Sequence, residues 1–442
     1  MLPMFHEGDT LTLANGGPLQ VIRLLGGGGQ GQVFEVLFAG EAMAMKWYFP
    51  ACLQRDPLLR GRLKACIAAC EPNDSFLWPM LLLEPDPDCQ QRLNIPAGSF
   101  GYMMKLRPPQ YHPAVAHTAG RLSISLRQAL RACFRLTDAF HALHSLGFCY
   151  KDISLGNLFL DPLDGRILIC DNDNVDVNNS ELGSVRGTTG FMAPEVMLGR
   201  CKPGVSSDLF SLAVLLFRLL TRHDPFLGRL ELQIRCLDEP ARRRLYAEEA
   251  LFIFDADDAR NRPDPDAHPA PLLTWPIYPP HLQALFEQSL GRGARQPEQR
   301  ALPHQWRNAL SRCLDQRSLC PHCGQEVFVD PDQGGHCWAC GSVLGPVPRL
   351  RTSTTVVAAQ AENELHRHHF DPLITPSLEQ PLGCIRCHPQ DHQHLGVQNL
   401  SQDTWTAVLR SGETRPLPPQ KSCSLNTLQQ LHTPQGSLDM IP

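Results

Sequence analysis

Tyr150-Lys151-Asp152-Ile153-Ser154-Leu155-Gly156-Asn157 decides the reading of this chain. An Asp or Asn in a loop is ordinarily a turn former or a cap, so neither residue says much alone. Upstream, Leu126, Leu130, Phe134, Ala139 or Phe140 and Leu143 recur at helical spacing. That spacing predicts a helix between Ser123 and Gly147, with Ser123 or Ser125 as cap and Gly147 as stop. Downstream, Ile167-Leu168-Ile169-Cys170 reads as a strand that runs into Asp171-Asn172-Asp173. Further back, residues 21–46 read as three short strands, with a glycine turn between the first two and Ala44-Met45-Lys46 on the third. The turn, Leu25-Gly26-Gly27-Gly28-Gly29-Gln30-Gly31-Gln32-Val33, fits a flexible connection equally with a loop whose N–H groups approach phosphate without Cβ interference.

Beyond these stretches lie Gly187-Thr188-Thr189-Gly190-Phe191-Met192-Ala193-Pro194-Glu195, then Ser207-Asp208 opening a run to Thr221 that is apolar nearly all round, and Arg300. A helix apolar on every side belongs in the middle of a helical lobe. Lys is scarce, occurring at 46, 64, 105, 151, 202 and 421 only, so Lys46 at a motif position carries extra weight. In this order the stretches resemble a bacterial Ser/Thr-type (Hanks-type) protein kinase over residues 21 to about 312.

The resemblance implies an α+β, bilobal protein-kinase fold, β-rich to about residue 106 and helical after it. Phosphoryl transfer leaves a protein mainly positioning and charge neutralisation to perform. The resemblance places Lys46 on the α/β-phosphates of ATP, Asn157 and Asp171 on Mg2+, and Asp152 as base for the acceptor hydroxyl. Thr188 would bond near Asp152 and Ser154, and Arg300 would pair with Glu195. Leu25, Gly26, Gly28, Gly31, Val33, Ala44 and Met104 would join Lys46, Asn157 and Asp171 around the nucleotide.

The chain departs from that pattern in four places. The helix expected to supply a glutamate to Lys46 falls within 56–69, DPLLRGRLKACIAA, which contains no Glu; Asp56 at its start is expected to be an N-cap. Tyr150-Lys151 stands where His-Arg is usual, so a point charge replaces the bidentate fork that reads a phosphorylated activation segment. Switching by phosphorylation of Ser184, Thr188 or Thr189 is correspondingly disfavoured. Ser154 replaces the catalytic-loop Lys, and Asn172-Asp173 replaces Phe-Gly, with Asp173 open to a metal contact or a turn cap.

Cys320-Pro-His-Cys323-Gly324 and Cys337-Trp-Ala-Cys340-Gly341 present four thiols in two Cys-x-x-Cys turns, with thirteen residues (324–336) between them expected to form a short hairpin. This spacing reads as a structural Zn2+ ribbon, with no position left for catalytic water. Glu326, Asp330 and Asp332 in that interval argue against nucleic acid. Cys384-Ile-Arg-Cys387-His388, near His366, His368, His369, His392 and His394, is read as strand cysteines and surface histidines, not a second metal site. Cys66, Cys70, Cys133 and Cys170 are read as core thiols.

The length of 442 residues suggests about three folding units. A net charge of −5 excludes a chain drawn as a whole to nucleic acid or anionic lipid. No apolar run approaches the roughly 18 to 20 residues of a membrane helix. The opening MLPMFHEGDT lacks the basic-then-apolar order of a secretory signal, so a cytoplasmic location is expected. The expected division is a kinase domain over 1–312, a ribbon over 313–347 and an all-β domain over 348–442, the last similar to forkhead-associated β-sandwiches through LGVQNLSQDTWTAV and GSLDMI. FIFDADDARNRP at 253–264, HQWRNAL at 304–310 and the Asp-Asn-Asp resemble kinases of tellurite-resistance-linked gene clusters. That closer resemblance implies a von Willebrand A-domain protein and a PP2C-type phosphatase as partners, beside a protein substrate. DADDARNRPDPDAHPAPLLTWPIYPP at 255–280 reads as a long surface loop. An ATP-binding pseudokinase scaffold and a Zn-ribbon adaptor for nucleic acid remain as competing classes.

Overall fold

Three hairpin-connected strands, Leu19–Gly27, Gly31–Phe38 and Glu41–Tyr48, form where alternation predicts them. They belong to a six-stranded antiparallel sheet completed by Thr10–Leu11 on one edge and by Gly101–Lys105 and Leu81–Leu83 on the other. Val21, Phe34, Val36, Met43, Met45 and Trp47 are buried together on one face. Ala44, Tyr48, Tyr102 and Met104 are buried on the other, with Leu59 and Leu63 of the helix Leu59–Ala69. Glu41–Tyr48 is therefore covered on both sides from Met43 onward, which is how Lys46 comes to be inside.

The structure is a computed structural model and describes residues 3–14, 16–178, 187–328, 334–353 and 355–441. Ser184, Asp330, Asp332 and the side chain of His392 lie outside the described residues. The chain divides into two compact units, one of Met1–Ser123, Arg135–Asp264 and Glu287–Pro303, the other of Ile124–Phe134, Pro265–Phe286 and His304–Pro442.

In the first unit the helix Val205–Thr221 is buried along nearly its whole length, as its all-round apolar sequence requires. It starts two residues before the expected Ser207, which places Asp208 in its first turn. The supposed surface loop after Phe254 is partly core. Asn261 is buried and donates to the carbonyls of Phe226 (2.9 Å) and Leu251 (2.7 Å), and buried Asp255 accepts from Arg295 at 2.6 Å. Side chains that satisfy buried backbone and charge can hold a Pro- and Asp-rich segment inside. Asp56 is not the N-cap of Leu59–Ala69: it follows the helix Pro50–Arg55 and is gripped by both Arg62 terminal nitrogens at 3.0 and 2.6 Å.

The long helix runs Leu126–Ser145, capped by Ser125 and not Ser123: Gln128 N donates to Ser125 Oγ (3.2 Å) and Ser125 N to Gln128 Oε1 (2.6 Å). Its residues are shared between the units. In the second unit the rest of the supposed loop holds the helix Pro269–Thr274, with proline at the first helical position, where no N–H is missed. Two short hairpins follow, Arg317–Leu319 with Glu326–Phe328 and Gly335–His336 with Val343–Leu344, in place of one between the cysteine pairs. Glu326, counted in the sequence only for its acidity, accepts from the backbone N–H groups of Leu126 and Arg127 and pairs at 3.0 Å with the buried Arg317. Beyond them, a six-stranded and a four-stranded antiparallel sheet share one core around Leu350, Val357, Ile385, Val397, Trp405 and Leu431. Among the described residues, no helix is long and apolar enough to cross a membrane.

Candidate active site

A cleft of about 820 Å³ opens in the first unit, lined by Leu25, Gly26, Gly28, Gly31, Val33, Ala44, Lys46, Met104, Asp152 and Asp171. Nine of these were expected around a nucleotide, and Asp152 as the base beside it. Gly31 is the position that demands glycine, because a Cβ would lie 2.1 Å from the carbonyl oxygen of Trp47 on the next strand. Leu77, Phe159, Cys170 and Gln30 also line the cleft and were not foreseen as lining it. Cys170 is half-buried there and Cys70 is exposed, so neither is the core thiol expected, whereas Cys66 and Cys133 are buried.

Asn157 and Thr188 do not line the cleft, but both bond to Asp152. Thr188 Oγ1 donates to Asp152 Oδ1 at 2.6 Å, and Asn157 Nδ2 donates to the Asp152 carbonyl oxygen at 2.9 Å. Burial raises the Asp152 pKa, and the bonds from Thr188 and Asn157 oppose that rise. The loop carrying Asp152 is hung from Asp208, whose carboxylate accepts from Tyr150 N (2.6 Å) and Lys151 N (3.0 Å). This holds Lys151 in the left-handed region at φ 70. Lys151 Nζ pairs with Asp176 at 2.7 Å, and Tyr150 Oη donates to the carbonyl of Cys170, tying this loop to the residue before Asp171. Arg300 holds Glu195 with both terminal nitrogens, at 2.7 and 2.8 Å.

Asp171 is left-handed at φ 55 and starts a 3-10 turn over Asn172–Asn174. Asn172 is buried and donates to the carbonyls of Leu77 (2.8 Å) and Ile169 (3.0 Å), a polar anchor in place of apolar packing. Asp173 neither caps this turn nor faces the cleft. Its Oδ2 accepts from Lys46 Nζ at 2.7 Å and from Tyr48 Oη at 2.6 Å, with a side chain only 1% exposed. Lys46 also reaches Asp171 Oδ1 and Gln30 Oε1, at 3.3 and 3.2 Å. Burial pulls the Lys46 pKa down, but Asp173 and Asp171 outweigh it and hold the ammonium charged, while Lys46 keeps Asp173 ionised against its own burial. A buried cation, an exposed carboxylate at Asp171 and an amide at Asn157 fit a nucleotide with Mg2+.

In the second unit, Cys320, Cys323, Cys337 and Cys340 bring their sulfurs within 4.8 Å of one another, the one group of this kind with metal-ligand spacing among the described residues. Each pair sits on a tight turn closed by a left-handed glycine, with Gly324 N donating to Cys320 O at 2.8 Å and Gly341 N to Cys337 O at 2.9 Å. Four soft thiolates with this convergence fit Zn2+. Cys384 and Cys387 instead lie on the strand Gly383–His388, where residues three apart face opposite sides.

Residues 111–257 match the family described as protein kinase domain. The chain is 41% identical over 98 residues to a putative ribosomal protein S6 kinase alpha-1 of Caenorhabditis elegans, covering 21% of this chain and 12% of that protein. It is 38% identical over 104 residues to a probable serine/threonine-protein kinase 2 of Plasmodium falciparum, covering 23% and 20%. With serine/threonine-protein kinase 40 of Gallus gallus it shares 29% over 106 residues, covering 23% and 24%. Residues 111–257 are thus similar to a protein kinase domain, and the chain spans between about an eighth and a quarter of the length of these relatives.

Proposed function

We propose that the chain is an ATP- and Mg2+-dependent kinase that moves the γ-phosphate to Ser or Thr of a partner protein or of itself. The observation that carries this reading is the convergence of Lys46, Asp152 and Asp171 on one cleft, with Asn157 and Thr188 bonded to Asp152. Lys46 steadies the α/β-phosphates, Asp152 orients the acceptor hydroxyl and takes its proton, and Asp171 with Asn157 holds the metal. Mg2+ supplies charge neutralisation at the phosphate oxygens when bound. A pseudokinase scaffold is the second reading, favoured by the absence of any acidic residue in Leu59–Ala69. The two differ in one experiment on the purified chain: Mg2+-ATP raises the melting temperature under both readings, but labelled γ-phosphate reaches protein Ser or Thr only under the first.

The same reading keeps a kinase domain over 1–312, with Cys320, Cys323, Cys337 and Cys340 holding structural Zn2+ in a ribbon over 313–347. A forkhead-associated-like domain over 348–442 completes it, in a cytoplasmic protein that binds no nucleic acid. The Asp-Asn-Asp at 171–173 and FIFDADDARNRP at 253–264 support a bacterial kinase of the tellurite-resistance-linked kind, and with it a von Willebrand A-domain protein and a PP2C-type phosphatase as partners.

A further inference from the structure

We infer that Asp173 is the positioning residue for Lys46, doing from the 171–174 turn what a helix carboxylate would otherwise do, so that the site is assembled without any movement of Leu59–Ala69. The inference rests on the kinase reading above and adds how its lysine is held. Leu59–Ala69 contains no acidic residue, and the nearest acid before it, Asp56, is occupied by Arg62 at 2.6 Å. Asp173 stands 2.7 Å from Lys46 Nζ, with the two side chains 1% and 6% exposed, and Tyr48 Oη fixes the same oxygen at 2.6 Å.

Separating this pair would strand a buried charge, so the contact is persistent and not a surface encounter. Lys46 has three N–H donors, and they go to Asp173, Asp171 and Gln30. Asp173 is the fully buried partner and Asp171 is 45% exposed on the cleft, while Gln30 comes from the glycine turn. The Gln30 contact is therefore the one a phosphate oxygen would replace, with Asp173 left holding the ammonium in place. One turn, anchored by Asn172, thereby sets both the phosphate-binding cation and the metal-binding carboxylate.

The test is a double-mutant cycle on the full chain with Asp173→Asn and Lys46→Met, read both by γ-phosphate transfer and by affinity for Mg2+ with a non-hydrolysable ATP analogue. Asp173→Asn should lower kcat about 100-fold, the size of loss expected when a preorganised charge contact is removed. Analogue binding should weaken about 5-fold, and both effects should disappear in the Lys46→Met background. Tyr48→Phe, which keeps the ring, should show a smaller loss that is equally absent without Lys46, and it serves if Asp173→Asn does not fold. Asp56→Ala should stay within about 2-fold of the wild type.

Losses from Asp173→Asn that persist undiminished in Lys46→Met, or activity and affinity within about 3-fold of wild type, would overturn the inference. A wild type that binds the analogue but transfers nothing defeats the kinase reading, while the binding arm still decides on Asp173. A wild type that does neither overturns both.

Discussion

Lys46 and Asp171 separate two kinds of loss at the scale of single residues. Each of Lys46→Met and Asp171→Ala should reduce transfer at least about 100-fold, because each removes charge at the phosphates. Their effects on stability should differ. Lys46→Met leaves the buried Asp173 carboxylate uncompensated, which costs about 3 kcal/mol, whereas Asp171 is 45% exposed and its replacement costs about 1 kcal/mol, that of holding Ala in the left-handed region. Denaturant unfolding of both variants checks this, and adding Asp173→Asn to Lys46→Met should restore part of the stability. A second residue-scale expectation concerns the activation segment: Lys151 already has a carboxylate partner, Asp176, at 2.7 Å, so it does not depend on a phosphate to be held. Thr189→Ala should therefore retain transfer to an external substrate within about 3-fold, measured as initial rates. The meeting of Lys46, Asp152 and Asp171 in one cleft was readable because the motif spacing brings them there. The role of Asp173 was not, since its partner is 127 residues away and only the fold brings them together. A missing helix Glu and an extra Asp two residues after Asp171 were the two halves of that signal.

At the scale of elements, the sheet was legible because period-2 alternation maps directly onto its faces, and Val205–Thr221 because it is apolar nearly all round. The Asp- and Pro-rich segment misled because composition does not reveal that Asp255 and Asn261 would find buried partners. The convergence of the four cysteines was legible by spacing, but the two hairpins that carry them and the service of Glu326 to the Leu126–Ser145 helix were not. Its metal should be structural. Elemental analysis of the purified chain should find about one zinc, and Cys340→Ser should lose it and unfold residues 320–340, since such binding supplies on the order of 10 kcal/mol of folding free energy. Part of the transfer activity should survive, read on the same preparation. A metal-free wild type with an ordered ribbon would contradict the assignment.

At the scale of the whole molecule, acid should loosen the second unit before carboxylates titrate. His368 lies against Ser311, His366 and His369; burial first, then the two neighbouring rings, lower its pKa from 6.5 to about 2. Between those values the unfolded chain binds a proton that the folded chain refuses, so stability falls as pH falls. The slope is at most about 1.4 kcal/mol per pH unit for this one group. Glu364 works in a lower window, its pKa brought from 4.5 to about 2 by His366, Arg131 and Arg127 against its burial. Above pH 4.5 His368 shares the effect with His117 and His281, whose pKa values burial also lowers, so His368→Gln should flatten only part of the dependence of unfolding free energy between pH 6.5 and 4.5. The sequence predicts surface histidines here; His366 and His369 are instead buried, and that burial depends on contacts the sequence does not display. For the molecule as a catalyst, the most direct measurement is labelled γ-phosphate transfer by the purified full chain beside Asp171→Ala, with Mg2+ present. Protein-bound Ser or Thr label from the wild type and almost none from Asp171→Ala is the expected result; equal labelling by both, or none by either, would contradict a kinase built on this cleft.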